Sequence, residues 1–330
     1  MLLHPSFFLF FFFLITSILI LTSSSSWFVC WIALEINMLA FIPLILKKKN
    51  KYTAESALKY FLVQAIASML IIISMTMVNN NNTDSILNML MTASLLLKVA
   101  CAPFHQWAPA LVEGFTWPTT MIFLTLQKIN PLILITMNPM TYYMNNQIIF
   151  VSIIASAFFG CIGGLNQMAV RKLMVYSSIS HLAWLMSTIY ISSPLWLMYF
   201  LLYSLILMSV MNIMNNMEVY SINHLIMKQK NSPFNMSVCL FSLGGLPPLG
   251  GFLPKLMTTI MLLEQSLIFM MFFLLSSALL SLFFYMRMIL TTTLLYKSYK
   301  MMFYFNRSKK EMINTINIIL LLSPMIFLII

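Results

Sequence analysis

Six charged side chains lie within long apolar segments of the sequence, where proton transfer is the chemistry they would support. They are one acid and five bases: Glu35, Lys59, Lys98, Lys128, Lys255 and Arg287. A charge at the centre of a bilayer costs about 2.5–3.5 kcal/mol on insertion scales, so such residues usually face a protein interior or a hydrated cavity. Each is therefore a functional candidate unless its position explains it otherwise.

For two of these six residues, the position in the sequence favours a structural role. Lys59 follows Glu55 by four residues, an order that favours an ion pair along one helix face, so we expect a structural or snorkelling side chain. Arg287 lies near the end of its apolar segment, and we expect it to snorkel. Glu35, Lys98, Lys128 and Lys255 lie further from a segment end or beside helix-breaking residues. These four are the candidates for proton translocation.

Two histidines are possible relays. His181, in YSSISHLAWLM, lies deep in an apolar segment. A histidine titrates near neutral pH and can pass protons, although a buried histidine with a fixed hydrogen-bond partner fits equally well. His105, just after a helix break, is the weaker candidate relay.

Other site chemistries find little support. Cys30, Cys101, Cys161 and Cys239 stand singly in apolar runs, without the close spacing of a metal or redox site, so we expect small buried side chains. The glycine-rich stretch at 244–251 lacks the G-K-[ST] ending of a phosphate loop. Only seven acids occur in the chain, which leaves no carboxylate pair for glycosidase chemistry. We expect no metal and no cofactor bound by this chain.

The elements that hold these residues are predicted to be transmembrane helices. Of 330 residues, 61% are hydrophobic and 8% are charged, against roughly 25% charged in soluble domains. Apolar runs long enough to cross a ~30 Å hydrocarbon core recur throughout the chain. The first run lacks a basic start and a cleavage site, so we interpret it as a retained span. The eleven predicted spans lie near 6–22, 27–46, 55–78, 84–112, 117–136, 147–168, 172–191, 194–216, 237–263, 267–290 and 312–330.

Helix breakers interrupt the fourth and ninth spans. The fourth carries Pro103 and Pro109 after Lys98, and the ninth carries a cluster of breakers before Lys255, namely Gly244, Gly245, Pro247, Pro248, Gly250, Gly251 and Pro254. Proline removes a helical donor, and open backbone at membrane depth requires a protein or water partner. Two five-span units, 6–136 and 147–290, would then be inverted repeats with a broken fourth helix, an arrangement typical of ion transporters. We therefore predict one all-α membrane domain over 1–330, with 312–330 as a C-terminal span.

The loop charges predict the orientation of the chain. The net charge is +11, and thirteen of eighteen basic residues fall in loops on one side, at 47–54, 169–171, 217–236 and 291–311, with Lys172 at the edge of the following span counted among them. The loops on the other side carry none. Basic loops face the inside of the membrane, so the N-terminus is predicted there and the C-terminus opposite. This distribution needs no nucleic-acid partner.

Several segments also resemble a known family. LEINMLAFIPL, ALKYFLVQAIAS, LLLKVACAPFHQWAP, TLQKINPL, GGLNQMAVRKLMVYSSISHLAWL and GGLPPLGGFLPK resemble, in this order, the chain 2 family of mitochondrial NADH–ubiquinone oxidoreductase, respiratory complex I. The final 70 residues match by hydropathy only. The resemblance implies an antiporter-like, proton-translocating subunit without a redox group, active only within the complex. It further implies the mitochondrial inner membrane, basic loops on the matrix side, and other membrane-arm subunits and lipid as partners.

The resemblance also implies roles for individual residues. Glu35 matches the membrane glutamate of the family, and Lys98 matches the broken-helix lysine that pairs with it. Lys128 matches the central lysine, and Lys255 matches the distal lysine at the second break. Breaking the Glu35–Lys98 pair would let Lys98 release a proton toward Lys128, with water and His181 as possible carriers to Lys255. NADH, FMN, iron–sulfur clusters and ubiquinone would belong to the rest of the complex.

Two alternatives remain at this point. The chain could be a free-standing cation/proton antiporter or another antiporter-like subunit, although eleven rather than fourteen spans favour chain 2. It could also be a structural scaffold of the membrane arm. If the chain were a structural scaffold, neutralising the four buried charges would change assembly of the complex and leave its proton stoichiometry unchanged.

Overall fold

The computed structural model describes residues 5–47, 50–76, 84–137, 146–191, 193–217, 219–222 and 233–299. Thirteen α-helices account for nearly all of these residues, together with one isolated bridge between Ala169 and Ser221. The predicted span at 312–330 and the basic residues at 228, 230 and 300–310 lie outside the described residues.

The helices follow the predicted apolar segments closely. Those in the first half are α1 (Pro5–Ser23), α2 (Trp27–Ile45), α3 (Lys51–Thr76), α4 (Asp84–Val99), α5 (Trp107–Leu111), α6 (Trp117–Leu124) and α7 (Leu126–Met137). Those that follow are α8 (Asn146–Leu165), α9 (Val170–Ile191), α10 (Ser193–Met217), α11 (Pro233–Gly244), α12 (Phe252–Glu264) and α13 (Ile268–Tyr299).

Six helical segments in the described part of the chain are long and apolar enough to cross a membrane. They are Trp27–Ile45, Lys51–Thr76, Trp117–Met137, Gln147–Leu165, Pro194–Met217 and Ile268–Thr292. Three shorter apolar helices, Phe7–Ser23, Ile86–Val99 and Asn235–Gly244, add to these. The all-helical membrane class is therefore confirmed, whereas the count of eleven spans stays a prediction.

The described residues divide into two compact units, one up to Ser156 and one from Ala157. In the first unit Phe41 is fully buried, and its ring lies 5.1 Å from the Tyr60 ring and 5.9 Å from the Phe115 ring. In the second unit α9 is buried on every side between Leu173 and Ile189, except at Tyr176. A helix that is apolar and buried all round forms the core of its unit.

Both stretches with predicted breakers are non-helical in part. The helix α4 ends at Val99 and the chain resumes as α5 at Trp107, while α11 ends at Gly244 and α12 begins at Phe252. Each first half ends in the same way, with a left-handed residue (Ala100 at φ 64°, Gly245 at φ 81°). The following N–H bonds back to a carbonyl five residues earlier. This pattern is the Schellman ending of a helix.

A third interruption, at Thr125, was not predicted from the sequence. Thr125 has φ −114° and ψ −80°, and it separates α6 from α7. The predicted span 117–136 is therefore two helices in line, and Lys128 lies in the first turn of the second one.

Candidate functional site

Lys98 lies in the last turn of α4, directly before the first break. Its side chain is buried, and its Nζ has no hydrogen-bond partner among the residues that the structure describes. A buried ammonium without a partner is costly, so the surroundings of Lys98 are those of a site and not of a packed core.

Glu35 lies on α2 within electrostatic range of Lys98. Its Oε1 atom is buried and, within the described part of the chain, has no hydrogen-bond partner. The Glu35 carboxylate interacts through space with the Lys98 ammonium and with the Tyr60 phenol. The direct ion pair that the family resemblance implies is not formed here; the two charges attract each other across a gap.

Neutral polar side chains form a bridge between the helices beside Lys98. The Tyr60 hydroxyl donates to Gln127 Oε1 at 2.9 Å, and Gln127 Nε2 donates to Asn37 Oδ1 at 3.0 Å. Gln64 Nε2 donates to the carbonyl of Lys98 at 3.5 Å. These bonds tie α2, α3, α4 and α7 together around the Lys98 side chain.

A small cavity lies at the centre of this bridge. Its polar lining comes from Asn37, Tyr60, Gln64, Lys98 and Gln127, and Leu34, Met38, Phe123 and Pro131 complete the wall. Its volume of about 10 Å³ has room for about one water molecule, which needs two to four polar partners. The lining offers those partners, and Lys98 is one of them.

Lys128 follows Gln127 and is also buried, with 4% of its surface exposed. Its backbone N–H donates to Thr125 O at 3.1 Å, where the chain resumes helical geometry after the interruption. Its side chain interacts electrostatically with that of Cys101, which follows the Schellman end of α4. Glu35, Lys98 and Lys128 thus belong to one unit and surround the junction of α4 and α7.

The two lysines of this unit differ in their position relative to the ends of helices. A helix carries partial negative charge at its C-terminal end and partial positive charge at its N-terminal end. Lys98 lies at a C-terminal end, which favours its cation, whereas Lys128 lies where α6 and α7 adjoin in line, so the opposite end charges of these two helices largely cancel. The helix ends therefore stabilise the ammonium of Lys98 more than that of Lys128.

Lys255 lies in the first turn of α12 in the second unit. Its Nζ donates to Gly244 O at 2.9 Å and to Leu243 O at 3.4 Å, the last carbonyls of α11. The Trp184 ring centroid lies 6.0 Å from the same Nζ. The break therefore supplies carbonyl oxygens and a helix C-terminal end that stabilise the buried ammonium.

The remaining residues of the second break shape this pocket. Pro247, Pro248 and Gly250 lie in the turns between α11 and α12, and Pro254 lies in the first turn of α12, where its missing N–H costs nothing. Gly251 lies so close to the Ser242 carbonyl that a Cβ would overlap it. The first break holds Pro103 after a cis peptide bond with Ala102.

The two histidines differ in their settings. His181, buried on α9, has its Nδ1 atom 3.0 Å from the Tyr199 hydroxyl. His105 is buried in the turn between α4 and α5. His181 and Lys255 lie in the second unit, whereas His105 lies in the first unit with Lys98.

The other predicted side chains mostly match expectation. Lys59 pairs with Glu55 on the exposed face of α3, as predicted. The four cysteines are buried and free. The snorkelling expected of Arg287 stays a prediction; its guanidinium donates to Leu165 O at 2.7 Å and to Gln167 O at 2.8 Å. Arg287 therefore binds the C-terminal end of α8.

Four polar residues of the site were missed by reasoning from the sequence: Asn37, Tyr60, Gln64 and Gln127. Each lies within a segment that already carries a candidate charge, such as LEINMLAFIPL and TLQKINPL. A neutral amide or phenol in an apolar span costs less than a charge, so it gives a weaker signal. In the sequence, the four residues share one feature: each is a polar side chain within an apolar segment, close to a buried charge.

No group of three or more His, Cys, Asp and Glu side chains that could hold a metal occurs within the described ranges.

The comparisons with known proteins agree on one family. Residues 24–281 match the transmembrane family described as NADH:quinone oxidoreductase/Mrp antiporter. The NADH-ubiquinone oxidoreductase chain 2 of Anopheles gambiae is 42% identical over 240 residues, which are 70% of this chain and 69% of the relative. The protein of the same name from Mus musculus is 39% identical over 68% of each chain.

Solved structures share the fold at lower identity. A chain of respiratory complex I from Thermus thermophilus with bound aureothin matches with a TM-score of 0.79 and 21% identity, covering 88% of this chain and 71% of that one. A chain of an archaeal membrane-bound sulfane sulfur reductase matches with a TM-score of 0.81 and 13% identity, covering 96% and 72%. A chain of the Mrp complex from a Dietzia species matches with a TM-score of 0.70 and 16% identity, covering 85% and 59%.

Proposed function

The chain belongs to the NADH:quinone oxidoreductase/Mrp antiporter transmembrane family, and we propose that this antiporter-like membrane subunit of complex I moves protons through its own buried lysines. The residues that carry the route are Glu35, Lys98, Lys128 and Lys255. The relatives named NADH-ubiquinone oxidoreductase chain 2 support the placement in complex I, because the chain covers more than two thirds of their length.

The observation that carries the proposal is the setting of Lys98. A buried ammonium without a direct partner faces a cavity with room for one water and lies within range of a half-buried carboxylate. Such an ammonium is held by attraction to Glu35 and by the end of α4. Both contributions change when α2 or α4 shifts slightly, so small movements alter how firmly Lys98 keeps its proton.

The first transfer runs from Lys98 to Lys128 within the first unit. One proton leaves Lys98 Nζ, passes through the water that the cavity accommodates, and reaches Lys128 Nζ, so one ammonium becomes an amine as the other becomes an ammonium. The transfer is uphill at rest, because the Glu35 carboxylate stabilises the ammonium of Lys98. A change at Glu35 that weakens its attraction for Lys98 makes the transfer favourable.

Lys255 is the proton-holding residue of the second unit. Carbonyls of α11 stabilise its cation, and release of the proton requires the break to rearrange so that these carbonyls lose the ammonium. We propose the order Lys98, Lys128, Lys255, with His181 and His105 as possible carriers. This order rests on the family resemblance.

Electron transfer from NADH to ubiquinone is assigned to other subunits of the complex. The chain is thus a non-redox subunit of the proton-translocating NADH:ubiquinone reductase, with no activity expected alone and no cofactor of its own. Its partners are the neighbouring membrane-arm subunits and lipid. The solved structures that share its fold come from multi-subunit membrane complexes, which supports this assignment.

The finer architecture belongs to the same proposal. We propose eleven spans in the mitochondrial inner membrane, with inverted repeats at 6–136 and 147–290 and the N-terminus and basic loops on the matrix side. The matching Schellman ends at Ala100 and Gly245, each in the fourth span of its repeat, support the repeat.

The test is substitution of Lys128 by methionine in the assembled complex, reconstituted into proteoliposomes. Lys128→Met should abolish most proton pumping by the complex, because methionine fills the volume of lysine but carries no proton. Lys59→Met is the matched control, since Lys59 lies in an exposed ion pair, and it should pump as the parent does. Full pumping by an assembled Lys128→Met complex would refute the route and favour a purely structural scaffold. Pumping by the purified chain alone would instead favour a free-standing antiporter.

A further inference from the structure

A cluster of tyrosines surrounds His181 in the second unit, apart from the lysines already described. Tyr199 and Tyr203 lie one turn apart on α10, and Tyr285 lies on α13. Each has no more than 2% of its surface exposed. Leaving a buried phenol hydroxyl without a hydrogen bond is costly, so the polar groups near these three side chains are relevant.

The matching groups lie on one face of α9. Ser177, Ser178 and His181 are all buried on that helix, at the spacing of one turn. The Tyr199 hydroxyl lies 3.0 Å from His181 Nδ1. The Tyr203 and Tyr285 phenols lie close enough to the Ser178 and Ser177 hydroxyls, respectively, to interact with them.

The serines fix the direction of these interactions. Ser177 Oγ donates to Met174 O at 2.8 Å, and Ser178 Oγ donates to Val175 O at 2.6 Å. Each hydroxyl has one hydrogen, so both serines can only accept from the phenols. The Tyr199 hydroxyl faces the same helix and lies at hydrogen-bond distance from the His181 Nδ1 atom.

The imidazole ring is also held in place from its side. The His181 ring centroid lies 4.9 Å from the Tyr203 ring centroid, with a tilt of 40°. The hydrogen bond to Tyr199 and the contact with Tyr203 together determine which edge of the imidazole faces α10. The identity of the nitrogen that faces Tyr199 is therefore determined by the structure around it.

We propose that Tyr199 is the positioning residue of His181: its hydroxyl donates to Nδ1 and so places the hydrogen of the neutral imidazole on Nε2. This inference rests on the proposed proton translocation and adds a residue to it. The two nitrogens then have separate tasks, because Nδ1 takes up a proton on the Tyr199 side and Nε2 gives one up on the other.

The proton balance of that step involves only water and these two side chains. A protonated water gives its extra proton to the Tyr199 oxygen while the phenol hydrogen moves to Nδ1. The resulting imidazolium then releases the Nε2 hydrogen to a second water. Both side chains are neutral afterwards and one proton has crossed the pair, but the imidazole hydrogen now lies on Nδ1. The ring must turn over, or exchange its hydrogen through water, before Tyr199 again donates to Nδ1 and a second proton can pass.

The test uses Tyr199→Phe in the assembled complex, with proton pumping measured in proteoliposomes during NADH oxidation. Phenylalanine keeps the ring and removes only the donor. We expect pumping to fall about tenfold, the size of one lost buried hydrogen bond. Tyr190→Phe makes the same change at a half-buried position on α9 itself and should leave pumping unchanged.

A double substitution separates positioning from packing. In a His181→Gln complex the relay nitrogen is gone, so adding Tyr199→Phe should lower pumping by less than about twofold further. An equal loss from Tyr199→Phe in both backgrounds would overturn the proposal, as would full pumping by Tyr199→Phe alone. Full pumping by His181→Gln would also overturn it, whereas the proposed lysine route stands or falls separately with Lys128→Met.

A second measurement does not depend on assembly of the variants. In a high-resolution density map of the parent complex, a nitrogen of His181 should lie within about 3.2 Å of the Tyr199 hydroxyl. A His181 ring turned away from Tyr199 in that map would contradict the proposal.

Discussion

At the scale of single residues, the site combines a few charges with many neutral polar groups. Lys98 has no direct partner among the described residues, yet Tyr60, Gln127 and Asn37 around it are bonded to one another. Neutral groups that already satisfy each other do not compete for the ammonium. They leave its charge to be controlled by Glu35 and by whatever water enters the cavity.

Replacement of Glu35 by glutamine tests that control. Glu35→Gln keeps the shape of the side chain and removes the negative charge that stabilises charged Lys98. We expect proton pumping by the assembled complex to fall on the order of tenfold, which corresponds to ~1.4 kcal/mol of lost attraction. The measurement is the rate of acidification in proteoliposomes at saturating NADH.

Glu55→Gln is the control for this change, on the neighbouring helix α3. It breaks only the exposed pair with Lys59, and exposed pairs contribute about 0.2–1 kcal/mol. Pumping should stay at the parent level. Equal losses in the Glu35 and Glu55 variants would show that loss of any acid, and not the charge beside Lys98, causes the defect.

At the scale of helices, the breaks were predictable but their chemistry was not. Proline and glycine punctuate 103–109 and 244–254, so interruption there follows from backbone sterics. That Lys255 would donate to the carbonyls of α11 depends on how the two half-helices approach each other. Tertiary geometry of this kind leaves no mark on local composition.

The interruption at Thr125 shows the limit of breaker signals more clearly. Apart from Pro118 in its first turn, the predicted span 117–136 has Pro131 as its only proline or glycine. Pro131 lies inside α7, where it removes the backbone donor that would reach Gln127 O. The actual break falls six residues earlier. Threonine carries little signal for a break, so neither the interruption nor the position of Lys128 in a first turn could be predicted.

Gly245 is where the second break is most sensitive to substitution. Its φ of 81° disfavours any side chain, and a Cβ there would lie 2.9 Å from Lys255 Cδ and 3.0 Å from Lys255 Nζ. Gly245→Ala should cost about 1–2 kcal/mol from the backbone alone and should displace the ammonium from its carbonyls. We expect less assembled complex at 37 °C on native gels and reduced pumping by the complex that does assemble.

Gly244→Ala provides the comparison one residue earlier. A Cβ at Gly244 has its nearest neighbour at 3.7 Å, which is ordinary contact, and the carbonyl that binds Lys255 is unchanged. Its loss of pumping should be clearly smaller than that of Gly245→Ala. Equal losses at both positions would mean that the left-handed turn and the lysine contact are not the cause.

Close packing between α8 and α9 gives a further prediction. A Cβ at Gly160 would lie 2.6 Å from the backbone nitrogen of Ser180, and backbone cannot move aside as a side chain can. Gly160→Ala should therefore separate the two helices and lower the melting temperature of the complex. A thermal unfolding scan measures this, and an unchanged midpoint would contradict the packing described here.

At the scale of the whole molecule, composition determined the class and charge distribution predicted the orientation. Hydropathy located most of the described helices to within a few residues, although α13 runs nine residues past its predicted end, because lipid imposes one rule on every span. The polar bridge around Lys98 was not predictable, since it joins α2, α3, α4 and α7 through residues up to 90 positions apart. Such pairings depend on packing that a single sequence does not display.

The orientation can be measured at the two ends of α2. Ser25 and Asn50 are exposed and flank this helix, whose 19 residues span about 28 Å at 1.5 Å per residue, close to the ~30 Å hydrocarbon core. Asn50→Cys should react with a membrane-impermeant maleimide only from the matrix side, and Ser25→Cys only from the opposite side. The four native cysteines are buried and give a low background. Labelling of both positions from one side would refute the predicted topology.

The size of the cavity beside Lys98 has a consequence for ion selectivity. Sodium and potassium ions cross a protein only where several oxygen atoms replace their hydration shells together. A space of about 10 Å³ beside a lysine side chain admits a single water and cannot accommodate an ion with its coordinating oxygens. A proton needs no such space, because it moves by exchange along hydrogen bonds. Replacing sodium by potassium in the assay medium should therefore leave the rate of proton transport unchanged. The cavity beside Lys98 is too small for either metal ion, so it excludes both by size, independently of their charge.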